Sequence, residues 1–226
     1  MYRILHYIHD PLCGWCYAAE KLTDAVSASA QAQLKIQLHA GGLFARMHLP
    51  DAKRNSIRLA DARIGELTGQ VFGEAYLNGL LSDPNVVYDS TAPIRGILAA
   101  ETTKPGSGRT MLKALQQAHY RRGLRIVESA TIAGVAEGIG MDKDRFATAF
   151  ESVTESELQG HLDNTRRMMH DVGARGFPTF VAQIGNKFQV LPHEWFYSDP
   201  NGFAHLVSDI LAPHAEQKHR EDSAAT

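Results

Sequence analysis

The chain has 226 residues, of which 44% are hydrophobic and 21% charged, as in an ordinary folded globular protein. Its 23 Lys and Arg and 25 Asp and Glu leave a formal net charge of -2, which gives no electrostatic basis for binding nucleic acid or an anionic membrane surface. No run approaches the ~20 consecutive apolar residues that span a bilayer, so we expect neither nucleic acid nor a membrane as a partner.

The N-terminal segment, MYRILHYIHDPLCGW, lacks the uninterrupted apolar core of a secretory signal. Arg3, His6, His9 and Asp10 divide its apolar residues. We therefore expect the chain to remain in the cytoplasm. In that reducing compartment a disulfide is more often transient or catalytic than structural.

The first elements form a β-α-β pattern. Residues 2–9 are rich in Ile, Leu and Tyr and predict a buried strand, which Pro11 ends. The Ala-rich pattern of residues 14–29 predicts a helix, and the alternation in residues 34–38 predicts a second strand. The helix is long enough to connect two parallel strands.

The middle of the chain has a helical period, which turn-forming sequences interrupt. The predicted helices are 53–80, 91–102, 107–121, 125–138, 142–152 and 154–171. Asp142 lies where an acidic side chain can cap the fifth of them.

The C-terminal part returns to strands. Residues 178–184 and 187–191 predict two strands joined by Gly185-Asn186, a two-residue hairpin turn. A last helix is predicted over 201–211, followed by a polar tail that we expect to be frayed.

These elements predict an α/β fold, in which one mixed sheet of about four strands, βαβ…ββα, receives a large all-helical insertion. The expected domains are a discontinuous sheet domain, an inserted helical domain and a tail. Their residues are 1–48 with 173–213, then 49–172, then 214–226.

The only two cysteines, Cys13 and Cys16, lie in the sequence DPLCGWCY. Cys13 comes at the start of the predicted helix, where free backbone N–H groups and the helix dipole favour an anion. Its pKa should therefore fall from ~8.5 into the range of roughly 3.5–7.5. Cys16 lies one turn further and should be more buried and less acidic. We predict that Cys13 attacks a partner's disulfide and that Cys16 resolves the mixed disulfide.

Other uses of the cysteine pair remain open. A structural zinc ion needs four ligands, yet the chain has no second CxxC, and His6 and His9 should point to opposite faces of a strand. We therefore expect no bound metal. A soft metal such as Zn or Cu(I), which thiolate pairs favour, stays an alternative.

Two motifs together carry a family resemblance. CGWC follows the first strand, and GARGFPTF (173–180) follows the helical middle. This arrangement resembles the thioredoxin superfamily, and the insertion is similar to the DsbA-like thiol–disulfide oxidoreductases. Within these it is similar to the cytoplasmic FrnE-type branch, described as predicted protein disulfide isomerases.

The resemblance implies a thioredoxin-like fold in which the Phe177–Pro178 bond is cis and its loop packs beside the cysteines. In the family, the backbone of the residue before this proline pairs with an extended stretch of substrate. Here that residue is Phe177. Phe177 and Pro178 are therefore expected to bind substrate.

Trp15 and Asp10 are the remaining candidates at the site. We expect Trp15 at the rim, where it offers apolar surface to unfolded substrate, although a packed indole is an open alternative. Asp10 serves either as a proton relay or in turn and helix-cap bonding, and we favour the turn and cap. The Gly14-Trp15 dipeptide is neither the Pro-His of strongly oxidising relatives nor the Gly-Pro of thioredoxins, so the direction of electron flow stays open.

The predicted function is a cytoplasmic thiol–disulfide oxidoreductase or isomerase. Its substrates are disulfide- or thiol-containing proteins or small thiols, with no bound cofactor and with glutathione as a candidate co-substrate. The protein is expected to be a monomer or a homodimer. One alternative is a protein that binds a soft metal or unfolded chains. Another is a glutathione-dependent isomerase like the kappa-type transferases, which share the insertion but typically have serine at the first cysteine position.

Overall fold

A computed structural model describes residues 3–29 and 34–211 of the chain. The start of the predicted first strand, at Tyr2, and the predicted tail, 214–226, lie outside the described residues. In chain order the elements are β1 (Arg3–His9), α1 (Gly14–Ala18), α2 (Glu20–Ala28), β2 (Lys35–Ala40), β3 (Met47–His48), α3 (Asp51–Thr68), a π-helix (Ala75–Leu80), β4 (Val87–Tyr88), α4 (Thr91–Thr103), α5 (Gly108–Tyr120), α6 (Ser129–Gly138), α7 (Lys143–Ser152), α8 (Glu155–Asp171), β5 (Thr179–Ile184), β6 (Lys187–Leu191), a 3₁₀ helix (His193–Phe196) and α9 (Pro200–Leu211).

The main sheet has the strand order β2-β1-β5-β6. β1 pairs with β2 in parallel and with β5 antiparallel, and β5 and β6 form an antiparallel hairpin. Gly185 opens the hairpin turn with a φ of 58°, a left-handed conformation that glycine adopts without strain. The predicted fold class, a thioredoxin-like mixed sheet with a helical insertion, is confirmed.

The predicted helix 53–80 is wrong, because α3 ends at Thr68. Gly69 adopts a φ of 65°, and its N–H donates to the carbonyl of Gly65, which closes the helix in the left-handed conformation that glycine favours. The chain then continues into the π-helix Ala75–Leu80. The apolar periodicity of the sequence continues across the break between the two helices, so the periodicity alone does not reveal where α3 ends.

Two other predicted helices differ from the structure. Residues 14–29 form α1 and α2, which are separated at Ala19. The helix predicted over 125–138 begins only at Ser129, because Glu128 before it is extended and a turn occupies the residues after Gly123 (φ 64°). The acidic cap predicted at Asp142 is confirmed, since its Oδ1 accepts a hydrogen bond from the Arg145 N–H at 2.9 Å.

A continuous hydrophobic core connects the sheet with the helices between β2 and β5. On the sheet, Tyr7 stacks on Phe180 with ring centroids 4.6 Å apart. On the helical side, Tyr17 of α1 stacks on Tyr120 of α5 at 4.9 Å. The helix that begins at the cysteine motif is therefore packed against the insertion as well as against its own sheet.

We propose that the domains are 1–48 with 173–213 for the thioredoxin-like part and 49–172 for the helical insertion. The small ribbon of β3 and β4 pairs Met47–His48 with Val87–Tyr88 and so connects the two parts. None of the described helices is both long enough and apolar enough to cross a membrane.

Candidate active site

The cysteine motif forms the turn between β1 and α1. Cys13 occupies the N-cap position with extended backbone angles (φ -94°, ψ 117°). Its N–H donates to the Asp10 carbonyl at 3.2 Å, and its own carbonyl accepts from the N–H groups of Cys16 and Tyr17 at 3.0 and 3.1 Å. Cys13 therefore precedes the helix, while Cys16 lies within its first turn.

The two cysteines differ in burial, in the order expected from their positions. Cys13 is 8% exposed and Cys16 is fully buried. Burial raises the pKa of the Cys16 thiol well above its usual value, and the neighbouring Cys13 sulfur adds to this. A backbone hydrogen bond from Asp10 to the Cys16 sulfur, at 3.4 Å, acts in the opposite direction.

The loop before β5 lies directly against Cys13. The Phe177–Pro178 peptide bond is cis, as the family resemblance implied, and the Cys13 thiol donates to the Phe177 carbonyl at 3.5 Å. The Phe177 ring packs over Gly41 so closely that a Cβ at Gly41 would lie 2.0 Å from its Cζ atom. Gly41 is thus a site residue that the sequence analysis did not identify.

A groove of about 330 Å³ runs beside this loop. Trp15 is half-buried and lines the groove together with Phe177 and Pro178. Its ring centroid lies 5.2 Å from that of Tyr197, and the Tyr197 hydroxyl donates to the Trp15 carbonyl at 3.4 Å. Trp15 therefore packs against the protein and also faces the groove.

The groove also has charged walls. Arg63 reaches it from α3 of the insertion, and His193 and Glu194 reach it from the 3₁₀ helix. A larger cavity of about 810 Å³ lies elsewhere, between β2 and the region of α4 and α5, and neither cysteine lines it.

Asp10 is fully buried, and its carboxylate makes turn bonds. Oδ1 accepts from the N–H of Leu12 at 2.8 Å and from the Ser90 hydroxyl at 3.1 Å, and Oδ2 accepts from the N–H of Leu43 at 2.7 Å. Burial raises the pKa of Asp10, and these hydrogen bonds oppose the rise. No side chain caps α1, so the observed bonding of Asp10 is that of the turn rather than of a helix cap.

Tyr7 is a further residue beside the cysteines that sequence reasoning missed. It is buried in β1, and its hydroxyl donates to the Cys16 carbonyl at 3.1 Å. Burial raises the pKa of its phenol, and the adjacent Cys16 sulfur contributes to the rise. In the sequence, Tyr7 has only the pattern of a core strand residue, so no local signal distinguishes it.

Among residues 3–29 and 34–211, no group of three or more His, Cys, Asp and Glu side chains is arranged to hold a metal ion. The chemistry available at the site is that of a dithiol. The Cys13 sulfur contacts the cis-proline loop and belongs to a residue that is 8% exposed, whereas Cys16 is fully buried.

The combination of this sheet, the helical insertion, the CxxC turn and the cis-proline loop identifies the class. The chain belongs to the DSBA-like thioredoxin domain family, whose model matches residues 5–199. It is a DsbA-like thiol–disulfide oxidoreductase, and its substrates are thiols and disulfides.

Solved structures give more particular relatives. The chain is 37% identical to the cytosolic disulfide reductase DsbM from Pseudomonas aeruginosa, over 92% of this chain and 98% of that one, with a TM-score of 0.84. The structure of DsbM with GSH matches at 36% identity over the same shares, with a TM-score of 0.83. A candidate protein disulfide isomerase from Nitrosomonas europaea has the same fold, with 22% identity, 93% and 97% coverage and a TM-score of 0.77. No curated protein matches the chain by sequence.

Proposed function

We propose that this protein is a glutathione-coupled disulfide reductase of the cytoplasm, with Cys13 as the attacking thiolate and Cys16 as the resolving thiol. One observation carries the assignment of roles. The Cys13 sulfur contacts the Phe177 carbonyl at the edge of a groove, while Cys16 is fully buried behind it. Cys13 keeps a small exposed fraction of 8% and Cys16 keeps none, so a disulfide partner reaches Cys13 first.

The exchange proceeds in two balanced steps. The Cys13 thiolate attacks one sulfur of a substrate disulfide, forms a mixed disulfide and releases the other sulfur as a thiolate. Cys16, having lost its proton, then attacks the Cys13 sulfur, forms the Cys13–Cys16 disulfide and releases the second substrate thiolate. The substrate gains two electrons and the protein loses two. Two glutathione molecules restore the dithiol by the reverse exchange and leave as glutathione disulfide.

Substrate recognition is assigned to the backbone of Phe177, held by the cis bond to Pro178, and to the ring of Trp15. An extended peptide that pairs with the Phe177 backbone brings its disulfide to the Cys13 sulfur. Recognition of main chain tolerates many sequences, and the aromatic surface of Trp15 and Tyr197 in the groove adds apolar contact.

Two considerations support glutathione as the reductant. The relative DsbM is named a cytosolic disulfide reductase and has been solved with GSH. In this chain the groove beside Cys13 carries Arg63 and Glu194, whose opposite charges complement the carboxylates and the ammonium group of a small zwitterionic peptide. We extend the cytoplasmic location of DsbM to this chain on the same grounds.

Asp10 is assigned a structural role in the turn. Its two oxygens already accept three hydrogen bonds from the protein, which hold the carboxylate in place and favour its ionised form. This bonding supports the turn interpretation over a proton relay.

The deciding experiment combines two cysteine variants with a redox titration. Cys13→Ser should abolish reduction of a disulfide substrate, and Cys16→Ser should accumulate a mixed disulfide with glutathione, detectable by mass spectrometry. Full activity of Cys13→Ser would refute the mechanism. Equilibration of the wild-type protein with glutathione buffers tests the direction. A potential near the cytosolic glutathione poise of about -220 to -260 mV supports a reductase that glutathione restores, one well below it would exclude glutathione as the reductant, and one near about -120 to -180 mV would indicate an oxidant or isomerase.

A further inference from the structure

A buried carboxylate from the helical insertion lies against the cysteine turn. Asp61 on α3 is 2% exposed. A Cβ at Gly14, the residue that follows Cys13, would lie 2.6 Å from Oδ1 of Asp61 and 3.2 Å from Cδ1 of Ile64. Because Gly14 has no side chain, the Asp61 carboxylate can lie directly against the turn.

The two oxygens of Asp61 are bonded unequally. Oδ2 accepts a hydrogen bond from the Tyr76 hydroxyl at 2.8 Å. Oδ1, which faces Gly14, accepts no hydrogen bond from any of the described residues. With a single hydrogen bond from the protein, the Asp61 carboxylate gains little to offset the loss of solvation that burial imposes on its ionised form.

Asp61 is surrounded by buried phenols that carry no charge near neutral pH. Tyr76 of the π-helix, Tyr88 of β4 and Tyr120 of α5 all have a pKa raised above the ordinary value, chiefly by burial, and so stay neutral. Arg58 on α3 lowers the pKa of Asp61, but burial outweighs it and raises this pKa to about 7.

Cys13 lies near one of the phenols that surround Asp61. Both the Asp61 carboxylate and the Cys13 sulfur act on the Tyr120 phenol and help to raise its pKa. Burial in this region lowers the effective dielectric, so that charges act on one another more strongly than they would in water. The Asp61 carboxylate and the Cys13 sulfur therefore share the Tyr120 phenol as a neighbour, and Asp61 also lies against Gly14, the residue next to Cys13.

We propose that Asp61 is a positioning residue of the exchange reaction, whose negative charge opposes the Cys13 thiolate and whose protonation removes that opposition. This role presupposes the disulfide exchange proposed above. Because the reduced protein carries the thiolate, ionised Asp61 also disfavours the reduced form. The insertion thereby makes the protein a better reductant and its thiol less reactive when Asp61 is charged.

The test measures how fast iodoacetamide alkylates Cys13 in the reduced full-length protein between pH 5.5 and 9. In the wild type, the profile should contain an inflection near pH 7 in addition to the ionisation of the thiol itself, and Asp61→Asn should remove this additional inflection. At pH 8 the variant should react at least threefold faster. Glu66→Gln is the matched control, since Glu66 is an exposed acid on the same helix, and it should leave the profile unchanged.

Tyr76→Phe provides a second variant with a different expected result. It keeps the ring but removes the hydrogen bond that stabilises the Asp61 carboxylate, so the inflection should move to higher pH instead of disappearing. A purely structural role for Asp61 would not produce this shift. A profile of Asp61→Asn that superimposes on the wild type would overturn the proposal. If Asp61→Asn does not fold, an unmoved inflection in Tyr76→Phe would overturn it.

Mixed-disulfide formation between the wild-type protein and glutathione distinguishes a failure of the proposed function from a failure of the role of Asp61. If the wild type forms no mixed disulfide, the proposed function itself fails. If the exchange occurs and only the profiles of the variants are unchanged, the role of Asp61 fails alone.

Discussion

Two buried carboxylates flank the cysteine turn, and the two sides of the molecule hold them differently. On the sheet side, Asp10 uses both oxygens to accept hydrogen bonds from Leu12 and Leu43 of the same side and from Ser90 of the insertion. On the helical side, Asp61 accepts one hydrogen bond, from Tyr76. In our proposal, Asp10 fixes the geometry of the turn through its three hydrogen bonds, while Asp61 supplies a charge that varies with pH.

The largest effect should follow from Asp10→Ala, which tests the fixing role of the sheet side. Removing the carboxylate leaves the buried N–H group of Leu12 and the buried hydroxyl of Ser90 without this acceptor, at roughly 1–3 kcal/mol each, offset in part by relief of a buried charge. We expect the free energy of unfolding to fall by about 3 kcal/mol, as measured by urea denaturation at pH 7.

Asp83→Ala is the matched control for this change. Asp83 makes the same type of turn bond, to the N–H of Asn85 at 2.8 Å, and an ion pair with Arg125 at 3.1 Å, but in a loop where water can replace both. Its loss should cost about 1 kcal/mol or less. Equal losses of unfolding free energy in the two variants would show that the hydrogen bonds of Asp10 stabilise the fold no more than an ordinary turn bond does.

An intermediate effect is expected for Gly41→Ala, which displaces the Phe177 ring on the sheet side of the site. The new Cβ would lie 2.0 Å from the ring in its present position, so the ring must move, at a cost of about 2 kcal/mol in unfolding free energy. The rate of disulfide exchange should fall as well, because the Phe177 carbonyl beside Cys13 moves with it.

Gly176→Ala is the control in the same loop, since a Cβ there meets no atom within 4 Å. It should change the unfolding free energy by about 0.5 kcal/mol or less. If both glycine variants retain wild-type stability and exchange rate, close packing over Gly41 does not position the loop.

The smallest expected effect on stability at neutral pH comes from two buried histidines, one in the sheet and one in the helical insertion. Burial lowers the pKa of His9 on β1 and of His119 on α5 to about 3. Both stay neutral in the folded protein, whereas the unfolded chain takes up protons below pH 6.5. Stability should therefore fall as the pH drops from 6.5 towards 3. The raised pKa values of Asp10 and Asp61 act in the opposite direction and offset part of the loss.

His119→Phe isolates the contribution of the helical side. The ring of His119 lies among Tyr76, Tyr88 and Tyr120, so a phenyl ring suits the site. Between pH 7.5 and 5.5 the variant should lose about 1.4 kcal/mol less unfolding free energy than the wild type. Urea denaturation at both pH values measures this, and identical losses would mean that His119 is not protonated on unfolding.

The sequence predicted those features that neighbouring residues determine. The hairpin at Gly185-Asn186 depends on one turn conformation, and the cap at Asp142 depends on a bond to Arg145 in the same helix turn. The cysteine motif likewise depends on its own strand–turn–helix sequence. In contrast, the predicted helix 53–80 failed because Gly69 ends α3 through a backbone conformation that apolar periodicity does not detect.

By itself, the sequence determined the pair Cys13 and Cys16, their strand-to-helix setting and, through the family resemblance, the proline loop beside them. Only the tertiary structure placed Asp61 against Gly14 and Phe177 over Gly41. These contacts join segments that are far apart in the chain, and which residues meet depends on how whole elements pack. The ionisation of a buried carboxylate depends in turn on the burial that packing creates, so no local pattern could have identified Asp61.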